Sequence, residues 1–362
     1  MAKKKGRQSN IELLRILMAY GVIVLHYNNR GIGRAMRHAV PGSPNSQYLF
    51  LTETLFICAV NVFMLISGFY TYGKHTSSIR RVIRMLVQVS LVRAAFTIGL
   101  AAFDHKQLTA VAIGRSFIPF NYFMITYSVV CLIAPYLNIV LEKLTEKALN
   151  GMLILFLILF SIWPFLSDWM NLAWDINLNA VNTVTNKGGL GGYTVVNYIL
   201  LYVIGAYLRR KAIRVRAWCS LLMLLVCGAV IYAGGYRHYI DGHDGLGPFF
   251  AYCSPFVIGF AVFLFLLFRE IPAGENRIIN EIAGGTFMVY LVHRPLIPRI
   301  ITEIAKSGTT AQLALHQMKW CALLFLLGYA LHKVYTLIAK PVYGVIDRHV
   351  PEAVIRAEVN TD

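Results

Sequence analysis

The stretch RILMAYGVIVLH, residues 15–26, is an apolar segment with an arginine at its first position and a histidine at its last. On a helix that turns about 100° per residue, Arg15 and His26 lie roughly 20° apart around the axis and about 16 Å apart along it. Glu12 lies close to the same face and is placed to pair with Arg15. The stretch therefore predicts one helix that presents a polar stripe.

The composition of the chain places that helix in a membrane. The 362-residue chain is 57% hydrophobic and only 14% charged, well below the quarter that is usual in soluble domains. Ten apolar stretches are long enough to cross a hydrocarbon core of about 30 Å. They lie near residues 11–27, 48–73, 78–103, 121–141, 148–166, 194–209, 217–234, 249–268, 280–303 and 319–340. The sequence predicts an all-α, polytopic membrane helix bundle of about ten transmembrane helices, with one domain over 1–346 and a short cytoplasmic tail over 347–362.

Positive charge is divided unevenly between the segments that join these spans. Nineteen Lys and Arg residues fall on the side that holds the N terminus, against nine on the other side. Positive charge favours the cytoplasmic side, so both termini are expected in the cytoplasm. The net charge of +17 needs no nucleic acid, because basic segments beside spans attract anionic membrane lipids. The six cysteines fall in predicted spans without paired spacing, so neither a disulfide framework nor a metal site is expected.

A charged group near the middle of a bilayer costs about 2.5–3.5 kcal/mol, so polar residues in the spans usually face a cavity or a partner. Glu53 stands at about the depth of His26, where a carboxylate could orient the imidazole. His293, one turn after Tyr290, stands at a comparable depth and favours a polar cavity. Simpler interpretations stay open: Arg15 could reach the headgroups, His26 could merely end its helix, and Glu53 could be solvated by an outer loop.

Two arginines mark the cytoplasmic start of the third span. Arg81 and Arg84 in SIRRVIRMLVQV share a helical face, and guanidinium forks match phosphates, so the pair could bind an anionic cofactor. Ordinary flanking charge accounts for the same pattern. Arg93 falls in the middle of this span and requires a partner inside the bundle.

In combination these segments resemble the acyltransferase-3 family, integral membrane enzymes that acylate bacterial surface carbohydrates. Arg15 and His26 match the family's signature of an arginine, ten residues and a histidine, and Arg81 and Arg84 match its R-x-x-R. The other similar segments follow in the expected order: AVNVFMLISGFY, NYFMITYSVVCLIAPYLN, GGYTVVNYILLYVIGAYLRR and FMVYLVHRPL. The resemblance covers nearly the whole chain. It departs at Tyr122, where many relatives carry tryptophan.

The resemblance implies a membrane O-acyltransferase in the bacterial cell membrane. An acyl-CoA, most simply acetyl-CoA, would bind at Arg15, Arg81, Arg84 and Ser67, and no metal is expected. His26 would act as general base or transient acyl carrier for a hydroxyl of a cell-envelope glycan or lipid-linked sugar.

The resemblance leaves room for supporting groups around His26. Glu53 would orient the imidazole, and Tyr290 or His293 would stabilise the tetrahedral oxyanion. These roles rest on predicted depth in the membrane alone.

One other class of protein remains as the alternative. A secondary transporter or flippase for a cell-envelope sugar or lipid intermediate would also use buried polar residues near the midplane. Such a protein usually shows repeated halves or matching broken helices, and the sequence shows neither. A sensor or scaffold would not require the stripe from Arg15 to His26.

Overall fold

The computed structural model describes residues 8–119, 121–178, 190–243 and 247–355, and the chain is mostly helical there. The α-helices, numbered in chain order, are α1 (Ser9–Asn28), α2 (Ala35–His38), α3 (Pro44–Phe56), α4 (Ala59–Thr71), α5 (Ile79–Phe103), α6 (Ala110–Ser116), α7 (Tyr122–Lys143), α8 (Glu146–Leu157), α9 (Trp163–Trp174), α10 (Val195–Arg210), α11 (Ala217–Ile240), α12 (Pro255–Arg269), α13 (Arg277–Gly284), α14 (Thr286–Leu296), α15 (Ile304–Ser307), α16 (Thr310–Ile338) and α17 (Lys340–His349). A π-helical turn, Ile158–Ile162, joins α8 to α9. The predicted all-α bundle is confirmed.

Eight helices among the described residues are long and apolar enough to cross a membrane. They are Ser9–Asn28, Pro44–Thr71, Ile79–Phe103, Tyr122–Lys143, Glu146–Trp174, Ala217–Ile240, Pro248–Arg269 and Thr310–Ile338. Two of the ten predicted spans are shorter elements. α10 has 16 residues, a length of about 24 Å. The stretch predicted at 280–303 is broken at Gly284 and Gly285 into α13 and α14, since glycine weakens a helix.

α1 lies at the centre of the bundle. It contacts α3, α4, α12, α13, α14 and α16, and most of its residues are buried. In contrast, α5, α11 and α16 keep most of their apolar residues at the surface, as lipid-facing helices do. The polar groups of α1 are therefore directed into protein, because little of this helix faces outward.

Close packing of α4 against α10 fixes the helix that carries Ser67. A Cβ atom at Gly68 would collide with the backbone carbonyl oxygen of Tyr202, and one at Gly205 would collide with that of Leu65. Glycine at both positions lets the two backbones approach closely, as small residues commonly do between membrane helices.

The C-terminal segment differs from the predicted tail. The boundary predicted between residues 346 and 347 falls inside α17, which continues to His349. Beyond it the chain turns back, and Thr76 and Val354 form an isolated antiparallel bridge. The last predicted span ends at residue 340, which leaves this segment as a tail, but in the structure α17 packs against α5.

Several smaller predictions are met or revised. Arg15 pairs with Glu12 at 2.9 Å, as its spacing predicts. Arg93 was predicted to need a partner inside the bundle. It donates a hydrogen bond of 2.8 Å to the backbone oxygen of Ile118, an exposed residue just after α6. All six cysteines are free.

Candidate active site

Two histidines from distant parts of the sequence meet inside the bundle. His26 lies in the last turn of α1, and His293 lies on α14. Their nearest ring nitrogens, Nδ1 of His26 and Nε2 of His293, are 2.9 Å apart. His293 is fully buried, whereas His26 keeps part of its surface exposed. The two histidines, predicted to lie at comparable depth, are in direct contact.

Backbone carbonyl groups determine which nitrogen of each ring carries hydrogen. Nδ1 of His26 lies 3.0 Å from the carbonyl oxygen of Val22, and Nδ1 of His293 lies 3.1 Å from that of Val289. A carbonyl oxygen only accepts, so both Nδ1 atoms are donors. In the neutral rings both Nε2 atoms are then acceptors. The Nδ1–H group of His26 donates to two acceptors at once, the carbonyl oxygen of Val22 and Nε2 of His293. Nε2 of His26 makes no hydrogen bond to any described residue and keeps a free lone pair.

Glu53 does not contact His26 as predicted. Its carboxylate accepts a hydrogen bond of 3.0 Å from the side-chain amide of Asn28. Asn28 in turn accepts from Gln317, which is bonded to Tyr48. The prediction used only the depth of Glu53 in the membrane. The side of α3 that carries Glu53 faces Asn28, two residues beyond His26 at the end of α1. Glu53 therefore holds the end of α1 and reaches His26 only through that helix.

Neither predicted oxyanion donor has a free hydrogen in this arrangement. Tyr290 donates its hydroxyl hydrogen to Oδ1 of Asn121 at 2.8 Å. His293 uses Nδ1–H for a carbonyl, and its Nε2 is an acceptor. The structure instead places Nε2 of His293 2.9 Å from Nδ1 of His26, and the Tyr290 ring centroid 5.7 Å from that of His293.

A central cavity of about 630 Å³ follows the stripe predicted on α1. Its wall includes Glu12, Arg15, Ala19 and Val22, which repeat every three or four residues on one helical face. The next residue on that face is His26, whose ring bonds the carbonyl of Val22. Tyr290, Ser67 and Arg81 also line this cavity, so with Arg15 it brings together four of the predicted site residues.

A second cavity, of about 360 Å³, adjoins the first at the N-terminal end of the bundle. Arg81 and Ser67 line both cavities, together with Thr71, Lys74, Met85 and Tyr127. Arg81 donates a hydrogen bond of 2.7 Å to the Tyr127 hydroxyl, and no carboxylate among the described residues lies within ion-pair distance of it. Its charge therefore remains available to an anion.

Arg84 lines the smaller cavity but is already engaged. It forms an ion pair with Asp347, and its guanidinium carbon lies 5.2 Å from the centroid of the Tyr343 ring. The R-x-x-R spacing brings Arg81 and Arg84 to one cavity, as predicted. The two arginines nevertheless differ, because only Arg84 has a carboxylate partner.

Sequence reasoning missed Tyr127, which stands where the two cavities meet. Its hydroxyl accepts from Arg81 and donates to Ser67 at 3.2 Å, because the Ser67 hydroxyl already donates to the carbonyl of Phe63. Asn121, the N-cap of α7, was also missed as the partner of Tyr290. A tyrosine in a transmembrane helix gives no distinctive signal, whereas the asparagine before α7 fits an N-cap.

No group of three or more His, Cys, Asp or Glu side chains in the described ranges could hold a metal ion. His238 and His243 stack with ring centroids 4.9 Å apart. The side chains at the site carry imidazole, guanidinium and hydroxyl groups.

The fold and the site define a class: a polytopic membrane helix bundle in which a cavity lined by arginines runs along α1 as far as Val22, one helical turn before a pair of imidazoles. A family model described as an acyltransferase domain, Acyl_transf_3, matches residues 8–331. The chain belongs to the acyltransferase-3 family and is a membrane acyltransferase. Neither a curated protein nor a solved structure matches the chain.

Proposed function

We propose that the protein transfers an acyl group, most simply acetyl, from a cytoplasmic acyl-CoA to a hydroxyl of a cell-envelope glycan or lipid-linked sugar. The observation that carries this proposal is the central cavity along α1, which is lined by Arg15 and Arg81 and extends to Val22, whose carbonyl oxygen lies 3.0 Å from Nδ1 of His26. A donor that carries phosphates at one end and a thioester at the other fits a passage that is basic at one end and leads to an imidazole at the other.

The donor would enter with its phosphates at the basic mouth. Arg81 has no carboxylate partner among the described residues, and Lys74 lies beside it in the wall of both cavities. Arg15, although paired with Glu12, faces the same passage. Ser67 and Tyr127 line both cavities, and the arm that bears the thioester would pass them.

His26 would supply the base through its free Nε2. That nitrogen takes the proton of the acceptor hydroxyl while the hydroxyl oxygen attacks the thioester carbonyl carbon. When the carbon–sulfur bond breaks, His26 returns the proton to the thiolate, which leaves as free CoA thiol. In the alternative course, Nε2 attacks the carbonyl carbon and the carbon–sulfur bond breaks, which expels the CoA thiolate; the acceptor hydroxyl then takes the acyl group from Nε2, and its proton passes to the thiolate to give free CoA thiol.

His293 would act as a positioning residue. By accepting from Nδ1–H of His26, it keeps the other nitrogen of that ring unprotonated. When His26 becomes an imidazolium during the reaction, its Nδ1–H group continues to donate to Nε2 of His293. Arg294 follows His293 directly, and its positive charge acts on both imidazoles, so it would stabilise the negative oxygen that develops at the carbonyl.

The orientation of the protein follows from the charge distribution. With the basic mouth in the cytoplasm, both termini are cytoplasmic and His26 lies toward the outer face of a bacterial cell membrane. The acceptor then meets the imidazole from outside, and the donor reaches it from inside.

Purified protein in sealed vesicles tests this function. Labelled acetyl-CoA is added to the side that bears the N terminus, with cell-envelope glycans on the other side, and both free CoA thiol and acetylated glycan are measured. We expect both products from the wild-type chain and neither from His26→Ala. Movement of label across the membrane without thiol release would instead support a transporter, the alternative function.

The acceptor is identified by comparing cells with and without the gene. Mass spectrometry of their surface glycans should show one acyl mass that is lost on deletion, which identifies the acyl group and the acceptor together. Identical glycans in the two strains would contradict a carbohydrate acceptor.

A further inference from the structure

Residues 340–355, here named the C-terminal strap, close one side of the smaller cavity. The strap consists of α17 and the segment that follows it, and it lies outside the part of the chain that the family model matches. Two backbone hydrogen bonds attach it to the loop before α5: Ser77 N–H to the oxygen of Ala353 at 2.7 Å, and Ile355 N–H to that of His75 at 2.8 Å.

Two carboxylates of the strap bind arginines at the mouth of the cavity. Glu352 lies 3.2 Å from Arg80, and Asp347 pairs with Arg84. Arg80 also donates a hydrogen bond of 2.9 Å to the backbone oxygen of Val350. Glu352 itself lines the smaller cavity, together with Arg80 and Arg84. The strap thus places negative charge where three arginines converge.

A carboxylate and a phosphate compete for the same guanidinium, because both accept its paired N–H groups. The ion pairs of the strap are exposed: 41% of the Asp347 side-chain surface and 61% of the Glu352 side-chain surface remain accessible. Exposed pairs contribute little to stability, so a ligand with several phosphates can displace them. Nε of Arg84 is buried without a hydrogen-bond partner in the described chain, which leaves it a donor to offer.

We propose that Asp347 and Glu352 determine the affinity of the site for its donor by competing with the donor's phosphates for Arg84 and Arg80. This inference rests on the proposed function, since it requires an anionic donor at the basic mouth. Arg81, which has no carboxylate partner among the described residues, makes the first contact. Arg80 and Arg84 become available when the strap moves aside, so the strap lowers donor affinity without touching the imidazoles.

The first test measures the binding of CoA to the full-length purified protein. The double variant Asp347→Asn, Glu352→Gln should bind CoA about three- to tenfold more tightly, the range that one or two exposed ion pairs supply. The control, Glu146→Gln with Glu281→Gln, removes the same charge from carboxylates outside both cavities and should bind CoA as the wild type does. Unchanged or weaker binding by the first double variant would overturn the inference.

The second test closes the strap reversibly. Thr76 and Val354 face each other as a non-hydrogen-bonded antiparallel pair, whose Cα atoms are typically about 4.5 Å apart and within disulfide range. Thr76→Cys with Val354→Cys should weaken CoA binding by roughly tenfold when oxidised, and a reducing agent should restore it. The two single variants control for the native cysteines. Equal binding by the oxidised and reduced forms would overturn the inference.

The two levels of the argument fail in different ways. Saturable CoA binding that ignores every change in the strap would refute the strap's role and leave the donor site intact. Absence of CoA binding in the wild type and in all variants would refute the donor site itself, and the role of the strap with it.

Discussion

Replacing His293 by alanine tests the imidazole pair, because the change removes one acceptor of the His26 Nδ1–H and leaves the other. The carbonyl oxygen of Val22, 3.0 Å from that nitrogen, remains after the change. Loss of one partner by a buried donor costs about 1–3 kcal/mol. Because Val22 retains part of the bond, we expect kcat to fall by about tenfold, near the lower end of that range.

The assay separates turnover from donor binding. His293 lines neither cavity, so KM for acetyl-CoA should stay within about twofold of the wild-type value while kcat falls. The matched control is His316→Ala. His316 also bonds neighbouring side chains, Tyr27 and Trp320, but does not contact the pair. This control should lose stability without losing kcat in the protein that remains folded.

Two results would refute the reasoning about His293. A kcat within twofold of the wild type would mean that the hydrogen bond between the imidazoles does not orient His26. Loss of activity as complete as in His26→Ala would mean that His293 is itself the base. Thermal unfolding in detergent must accompany both measurements, because His293 is fully buried and its truncation leaves a cavity.

Three further predictions concern other parts of the molecule. Arg81→Gln should weaken CoA binding by about tenfold or more, since hydrogen bonds to charged groups contribute about 1.5–3 kcal/mol; unchanged affinity would remove Arg81 from the site. Gly68→Ala should lower the melting temperature in detergent, at a cost of about 1–3 kcal/mol, because its Cβ would meet a backbone oxygen of α10. The control Gly99→Ala should not lower it, because a Cβ there meets open space. Equal melting temperatures of the two variants would contradict the close packing of α4 on α10. Hydrogen bonds from Arg299 lower the pKa of Asp104 to about 2, so the stability gained from this pair is present above the ordinary pKa of 3.8 and is lost only as the pH falls through about 2. The melting difference between the wild type and Asp104→Asn should therefore stay constant down to about pH 4 and shrink between about pH 4 and about pH 2, and a difference that did not change over that lower range would contradict the lowered pKa.

The fold could be predicted from the sequence because membrane spans depend on length and apolar composition. The broken span at Gly284 and Gly285 could not, since a pair of glycines is compatible with a continuous helix or an interrupted one. The C-terminal strap could not be predicted either. It follows the last predicted span and therefore reads as a tail, and its attachment depends on a pairing between Thr76 and Val354, which are far apart in the chain.

The candidate site, like the fold, could be predicted only in part. The stripe from Arg15 to His26 depends only on helical periodicity, and the cavity follows that stripe. The pairing of His26 with His293 joins residues 267 positions apart and depends on how α1 packs on α14. Glu53 shows the limit of reasoning from depth. Depth can be read from the sequence, but the rotation of α3 that directs Glu53 to Asn28 is set by packing.

The most direct test of the central claim compares the wild type with His26→Ala in a single turnover. Each protein is mixed in excess with labelled acetyl-CoA and a glycan acceptor, and bound donor and free thiol are followed together. The account predicts that His26→Ala binds the donor with wild-type affinity and releases no thiol above background. Thiol release at the wild-type rate from protein that lacks this imidazole would contradict it.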